Sequence, residues 1–244
     1  MRAVITGGTS GIGLSVALTL GKEGYDIIIT GIDKENADNA LSELKENNIN
    51  AEFIYANSME EDDVNQAFDQ IAKQYDSIDV LVNNVGGLGG RQKFDGMETS
   101  FMRRVMALNF DSAFFASRAA IPLLKKGTNP SIINYSTIAV TSGGGPGAGI
   151  YAAGKAAIEG LTRALAKELA EFGIRVNAVS PGTIDTAFHS ATSRDVMETW
   201  KSGIVMKRFG DPSEVATVVE FLTSTKASFL TGEIIQVNGG QAFI

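Results

Sequence analysis

Thr6-Gly7-Gly8-Thr9-Ser10-Gly11-Ile12-Gly13 is the stretch on which the reading of the fold turns. A short apolar run, Arg2–Thr6, precedes it, and an amphipathic stretch follows it to about Glu23. The order reads as strand, glycine turn and helix. Gly7, Gly11 and Gly13 let the chain turn tightly and let an anion approach the backbone. The helix that follows aims its free N–H groups at the same point. The spacing is G-x-x-x-G-x-G, and elsewhere the same glycines would make only a flexible turn. Their place between the first strand and the first helix marks them as a phosphate cradle. Glycine is enriched overall, at 27 residues, and clusters in three loops: residues 7–13, 86–90 and 143–149.

Outward from this turn the pattern repeats. Asp26–Thr30, Ala51–Ala56, Val80–Asn83, Ser131–Ser136, Arg175–Val179 and Ile234–Val237 read as further strands. Between them lie helices at Lys34–Asn47, Glu60–Gln74, Glu98–Leu124 and Tyr151–Phe172. A further helix is opened by Asp211 as N-cap, with Pro212 at its first position and Glu214 at its third. The strands are too apolar to keep one wet face, as in a parallel sheet covered on both sides. Strict alternation of strand and helix predicts an α/β, doubly wound sheet. No linker or repeat divides the chain, so residues 1–244 read as one domain. Thr183–Arg208 is the longest stretch without clear structure and reads as a substrate lid.

Composition removes several function classes. The 244 residues include no cysteine, which excludes disulfides, thiolate metal sites and cysteine nucleophiles. A single histidine, His189, argues against a Ser-His-Asp hydrolase and against a multi-histidine metal site; no metal is expected. The net charge of −7, without a basic run, argues against nucleic acid or an anionic membrane as partner. No apolar run approaches the roughly 18–20 residues of a membrane helix. Met1 stands against the first strand, leaving no room for a signal peptide, so a cytoplasmic protein is expected.

Two more motifs carry chemistry. Asn83-Asn84-Val85-Gly86 ends the fourth strand, where carboxyl ends of central strands face a ligand crevice; alone it could equally be an amide-stabilised strand exit. In Tyr151-Ala152-Ala153-Gly154-Lys155 the tyrosine and lysine share one helix face. A lysine ammonium near a phenol favours the phenolate and lowers its pKa.

In order and separation, Thr6–Gly13, Asn83–Gly86, Asn109, Ser136-Thr137, Tyr151-x-x-x-Lys155 and Pro181-Gly182 resemble the short-chain dehydrogenase/reductase family, nearest in appearance to its 3-oxoacyl-carrier-protein reductase-like subgroup. The resemblance runs from Arg2 to about Gly240. It implies a seven-stranded Rossmann fold, NAD or NADP, and hydride transfer between that cofactor and a ketone or secondary alcohol. Tyr151 would then be the general acid or base. Lys155 would bind the nicotinamide ribose and lower the Tyr151 pKa, and Asn109 would hold a water behind it. Gly7, Thr9, Ser10, Gly11 and Ile12 would lie under the pyrophosphate. Gly31, Asp33, Asn57 and Ser58 would meet the adenosine, and Asn83 and Gly86 would line the cofactor. Pro181, Gly182, Ile184 and Thr186 would flank the nicotinamide.

The chain departs from the family pattern in places. The hydroxyl after strand five is usually the second serine of a pair; here that position holds Thr137, with Ser136 before it. Thr137 is favoured because a threonine hydroxyl offers the same donor and acceptor, and Ser136 is the alternative. The usual acidic position after strand two holds Gly31, with Asp33 two residues later, and no evident cation meets a 2′-phosphate; the balance leans to NAD. Arg91, Gly145 and His189, with Arg194, are the substrate-side candidates, the arginines for a carboxylate. Lys125-Lys126 at one helix end fits carrier-protein docking, whereas Phe172 stands where an arginine is common. The loops point instead to a small keto acid or keto sugar acid, such as a 2-keto-3-deoxy sugar acid. Two other readings are a 3-oxoacyl-carrier-protein reductase and a non-enzymatic cofactor-binding regulator. The long helices resemble those that pair in the family, which implies a homo-oligomer, dimer or tetramer.

Overall fold

Asp26-Ile27-Ile28-Ile29-Thr30 shows why the strands are apolar on both sides. Ile27 and Ile29 pack into one core and Ile28 into another. The same alternation holds for Val80, Leu81 and Val82. A computed structural model describes residues 1–186 and 194–243. Among these, seven strands form one parallel sheet: β1 Arg2–Thr6, β2 Asp26–Gly31, β3 Ala51–Tyr55, β4 Val80–Asn83, β5 Ser131–Tyr135, β6 Arg175–Pro181 and β7 Ile234–Val237. Their order is β3-β2-β1-β4-β5-β6-β7. This is the expected doubly wound Rossmann-type α/β sheet. Helices α1 (Gly11–Lys22), α2 (Lys34–Glu46) and α9 (Pro212–Thr223) cover one face. Helices α3 (Glu61–Gln74), α5 (Ser112–Leu124) and α7 (Gly149–Leu169) cover the other. Strand order reverses between β1 and β4, so their carboxyl ends diverge into a crevice.

Three local features differ from expectation. The helix expected over Glu98–Leu124 is α4 (Thr99–Met106) and α5 with a π turn, Ala107–Asp111, between them. The stretch Thr183–Arg208, read as loop, contains α8 (Arg194–Gly203); Val196, Met197 and Trp200 recur at helical spacing there, a signal the sequence reading passed over. A four-residue α6, Ala139–Ser142, follows β5. The start of α9 is as expected: Asp211 Oδ1 accepts from Ser213 N at 2.8 Å, and Glu214 Oε2 accepts from Asp211 N at 2.8 Å.

Candidate active site

A cavity of about 1060 Å³ runs along the carboxyl ends of the central strands. One end is the glycine turn after β1. Gly7 and Gly11 have φ of +64° and +54°, which glycine adopts freely. Gly13 is required for space. A Cβ there would stand 2.3 Å from Gly7 O and 2.6 Å from Asn84 Nδ2. The turn therefore closes on itself, with its backbone bare toward the cavity. Ser10, the N-cap of α1, makes no side-chain cap bond, so the first-turn N–H groups remain for an anion. A bare cradle beside a helix start fits the pyrophosphate of a dinucleotide.

Gly31, Ile32, Asp33, Asn57 and Ser58 line the far end of this cavity. Asp33 already caps α2: Oδ1 accepts from Asn36 N at 3.0 Å and Oδ2 from Asn36 Nδ2 at 2.7 Å. Asn57 Oδ1 accepts from Met59 N at 3.2 Å. Asp33 is the single carboxylate and Arg91 and Lys155 the only cations among the described lining residues.

Asn83 does not line the cavity, a correction to the sequence reading. It points to the opposite face of the sheet, where Nδ2 donates to Ser117 Oγ and Asn134 Oδ1, both at 2.8 Å. The neighbour Asn84 faces the crevice instead. Its Nδ2 donates to Thr6 O at 3.1 Å and Gly7 O at 2.9 Å, tying the β4 exit to the glycine turn. Successive residues of a strand point to opposite faces, so the phase of Leu81 and Val82 held this information.

Tyr151, Lys155, Thr137 and Ser136 all line the middle of the cavity. The Thr137 hydroxyl stands close enough to the Tyr151 phenol to favour its ionised form, and its Oγ1 accepts from Ala139 N at 3.3 Å. Ser136 turns away, its Oγ donating to Glu159 Oε1 at 2.7 Å. Lys155 is buried and donates to Tyr135 O at 3.0 Å. Lys155 is not among the groups that shift the Tyr151 phenol here. Burial pushes the phenol up, opposed only by the Thr137 hydroxyl. Burial also pulls the Lys155 ammonium down to about 8. A phenol held protonated is a proton donor.

Asn109 sits behind this group in the π turn, fully buried. Its Oδ1 accepts from Gly87 N at 2.9 Å, and its Nδ2 donates to Gly87 O at 2.8 Å and Val105 O at 2.9 Å. A single π turn at a functional position is a recurrent device. Here it lets Asn109 clamp the loop after β4. Gly86 has no room for a side chain: a Cβ would lie 2.6 Å from Lys155 Nζ and 2.9 Å from Asn109 Oδ1.

Pro181, Gly182, Ile184 and Thr186 line the cavity opposite, as do Trp200 and Gln241, which sequence reading did not single out. Arg91 stands at the exposed rim, Nη1 donating to Pro146 O at 3.0 Å. Gly145 lies beside it, its position for a Cβ 3.5 Å from Arg91 Nη1. His189 lies outside the described residues. Among the described residues no cluster able to hold a metal is present, and no helix is long and apolar enough to cross a membrane.

A family model described as enoyl-(acyl carrier protein) reductase matches residues 7–242. The chain is 36% identical to the 3-oxoacyl-[acyl-carrier-protein] reductase of Staphylococcus epidermidis, over 98% of this chain and 97% of that one. Among solved structures it resembles an NADH-dependent reductase responsible for alginate metabolism. That match has a TM-score of 0.91 and 34% identity, covering all of this chain and 97% of the other. It also resembles a short-chain dehydrogenase/reductase, glucose/ribitol dehydrogenase, of Brucella melitensis, with TM-score 0.91, 33% identity and coverage of 100% and 97%. With its sheet order, glycine cradle and Tyr151–Lys155 helix, the chain belongs to the short-chain dehydrogenase/reductase family and is an NAD(P)-dependent oxidoreductase acting on CH–OH groups.

Proposed function

We propose that the chain is an NADH-preferring reductase of a small carbonyl compound bearing a carboxylate, such as a 2-keto-3-deoxy sugar acid. The observation that carries this reading is Arg91. It is the one cation on the open side of the cavity, among the described lining residues, and its bond there is to a neutral carbonyl. A guanidinium so placed offers a two-pronged site to a carboxylate. The preference for NADH rests on Asp33, whose negative charge at the adenosine end disfavours a 2′-phosphate.

The cofactor would supply the hydride, with the protein providing orientation and the proton. Tyr151 Oη, lining the cavity, would donate the proton to the carbonyl oxygen of the substrate. Thr137 Oγ1 would hold the same oxygen, and Lys155 would meet the nicotinamide ribose. Asn109 acts by fixing the Gly86-Gly87 turn around Lys155. Gly7, Thr9, Ser10, Gly11 and Ile12 would hold the pyrophosphate, and Pro181, Gly182, Ile184 and Thr186 would flank the nicotinamide. Of the stretch read as a lid, Thr183, Ile184, Thr186 and Trp200 line the cavity where the substrate would sit. The protein works as a homo-oligomer in the cytoplasm, on a small-molecule substrate.

A second reading, 3-oxoacyl-carrier-protein reductase, is favoured by the names of the 36%-identical relatives. Against it, Lys125 Nζ already sits 3.5 Å above the Phe172 ring, which engages one of the two lysines expected to dock a carrier. NADH and NADPH oxidation, followed at 340 nm against keto sugar acids, small diketones and a short 3-oxoacyl thioester, separates the two. Turnover of the keto sugar acid with NADH is expected. Turnover of the thioester alone would replace the first reading by the second.

A further inference from the structure

The chain end after β7 folds back over the end of β6. Asn238-Gly239-Gly240 makes the turn, with φ of +58° at Gly239 and +79° at Gly240. Asn238 Oδ1 accepts from Gly240 N at 2.9 Å, and Gln241 N donates to Asn238 O at 2.9 Å. The turn delivers the Gln241 side chain to Thr183. Gln241 Oε1 accepts from Thr183 N at 2.9 Å, and Nε2 donates to Thr183 Oγ1 at 3.1 Å. The approach is close: a Cβ on Gly182 would lie 2.7 Å from Gln241 Oε1 and 2.9 Å from Asn238 Cα. The same turn reaches the far end of this segment, Gly239 O accepting from Met206 N at 3.1 Å.

We infer that Gln241 is a positioning residue that holds the Pro181–Thr186 wall in the conformation that receives the nicotinamide. Its amide satisfies both the backbone N–H and the hydroxyl of Thr183, which sets the direction in which the chain leaves β6. Beyond Thr183 the chain is held by Gly210, whose N–H donates to Thr183 O at 3.0 Å and whose carbonyl accepts from Asp185 N at 2.8 Å. Without Gln241, Thr183 N–H loses its partner beside the cavity, between Gly182, whose N–H donates to Val237 O at 3.0 Å, and the Gly210 bonds. The inference rests on the proposal that residues 181–186 flank the nicotinamide.

The test compares NADH with ADP-ribose, which lacks the nicotinamide, by calorimetric titration of the whole protein and its Gln241→Met variant. Met keeps the length of the side chain and removes both polar atoms. Wild type is expected to bind NADH more tightly than ADP-ribose. Gln241→Met is expected to lose about tenfold in NADH affinity, the scale of one or two hydrogen bonds, with ADP-ribose affinity unchanged. Equal binding of both ligands by wild type would overturn the nicotinamide reading itself. A full NADH preference kept in Gln241→Met would overturn the role of Gln241, as would an equal weakening of both ligands, the signature of a purely structural part. Should Gln241→Met fail to fold, Gln241→Ala gives the same comparison.

Discussion

The cavity is built from glycines at both ends, and the two sets are there for different reasons. In the cradle, a Cβ would meet Ile29 at 2.5 Å from Gly8, Gly7 O at 2.3 Å from Gly13, and Lys155 Nζ at 2.6 Å from Gly86. At the substrate rim, Gly143 has nothing within 4 Å, and Gly145 meets only Arg91 Nη1 at 3.5 Å. In the cradle Gly7 and Gly11 also serve by their positive φ, but Gly8, Gly13 and Gly86 must be glycine because protein atoms already fill the space. The rim uses it for chain direction, as the φ of +75° at both Gly143 and Gly147 shows. Internal packing fixes a motif at particular positions, whereas an open loop can reach the same path with many sequences. The cofactor half is therefore readable as a pattern and the substrate half is not.

This contrast can be broken most easily at Gly13. Gly13→Ala drives a Cβ into a backbone carbonyl rather than a flexible side chain, so NADH affinity is expected to fall by about a hundredfold or more, with a lowered Tm. Wild-type binding in titration would mean that the cradle is looser than its geometry. In the middle of the cavity, Thr137→Val removes the hydroxyl facing Tyr151, while Ser136→Ala removes one facing Glu159. The first is expected to lower kcat about a hundredfold and the second by less than about tenfold. The reverse order would assign the reaction to Ser136.

Lys155 lies where the two halves meet, and its burial has a pH signature. Its folded-state pKa is about 8, against 10.5 for a free lysine. Between those values the folded protein has lost a proton that the unfolded chain keeps. Stability therefore rises as pH increases through this window, and the full burial penalty is present below it. Lys155→Met removes that penalty and also the bond to Tyr135 O. It is expected to be about 2 kcal/mol more stable than wild type at pH 7, with the gap closing by pH 10 in urea melts. A gap that does not change with pH would contradict the burial argument. The smallest effect belongs to the rim: Gly145→Ala should move Tm and NADH affinity hardly at all, within about 0.5 kcal/mol. A loss like that of Gly13→Ala would erase the distinction.

Much of the fold was legible. Val80–Asn83 and Ile234–Val237 read as strands and are strands, because continuous apolar runs in an alternating α/β pattern admit few other readings. The π turn at Ala107–Asp111 was not legible: it depends on the side chain of Asn109 bonding across to Gly87, a contact made only in the folded chain. Asn83 and Asn84 illustrate a partial reading. The motif was found, but its crevice-facing member was taken as the wrong one of two adjacent amides. Gln241 left no signal at all, since the tail meets Thr183 only once β7 is laid beside β6.

The central claim is that Tyr151 supplies the proton for a ketone reduction run from a separately built cofactor cradle. The direct measurement is NADH binding and NADH-dependent turnover in Tyr151→Phe beside wild type, using a substrate identified in the 340 nm assay. Unchanged NADH affinity with kcat reduced by about a thousandfold or more is the predicted result. Near-wild-type kcat in Tyr151→Phe would contradict the assignment.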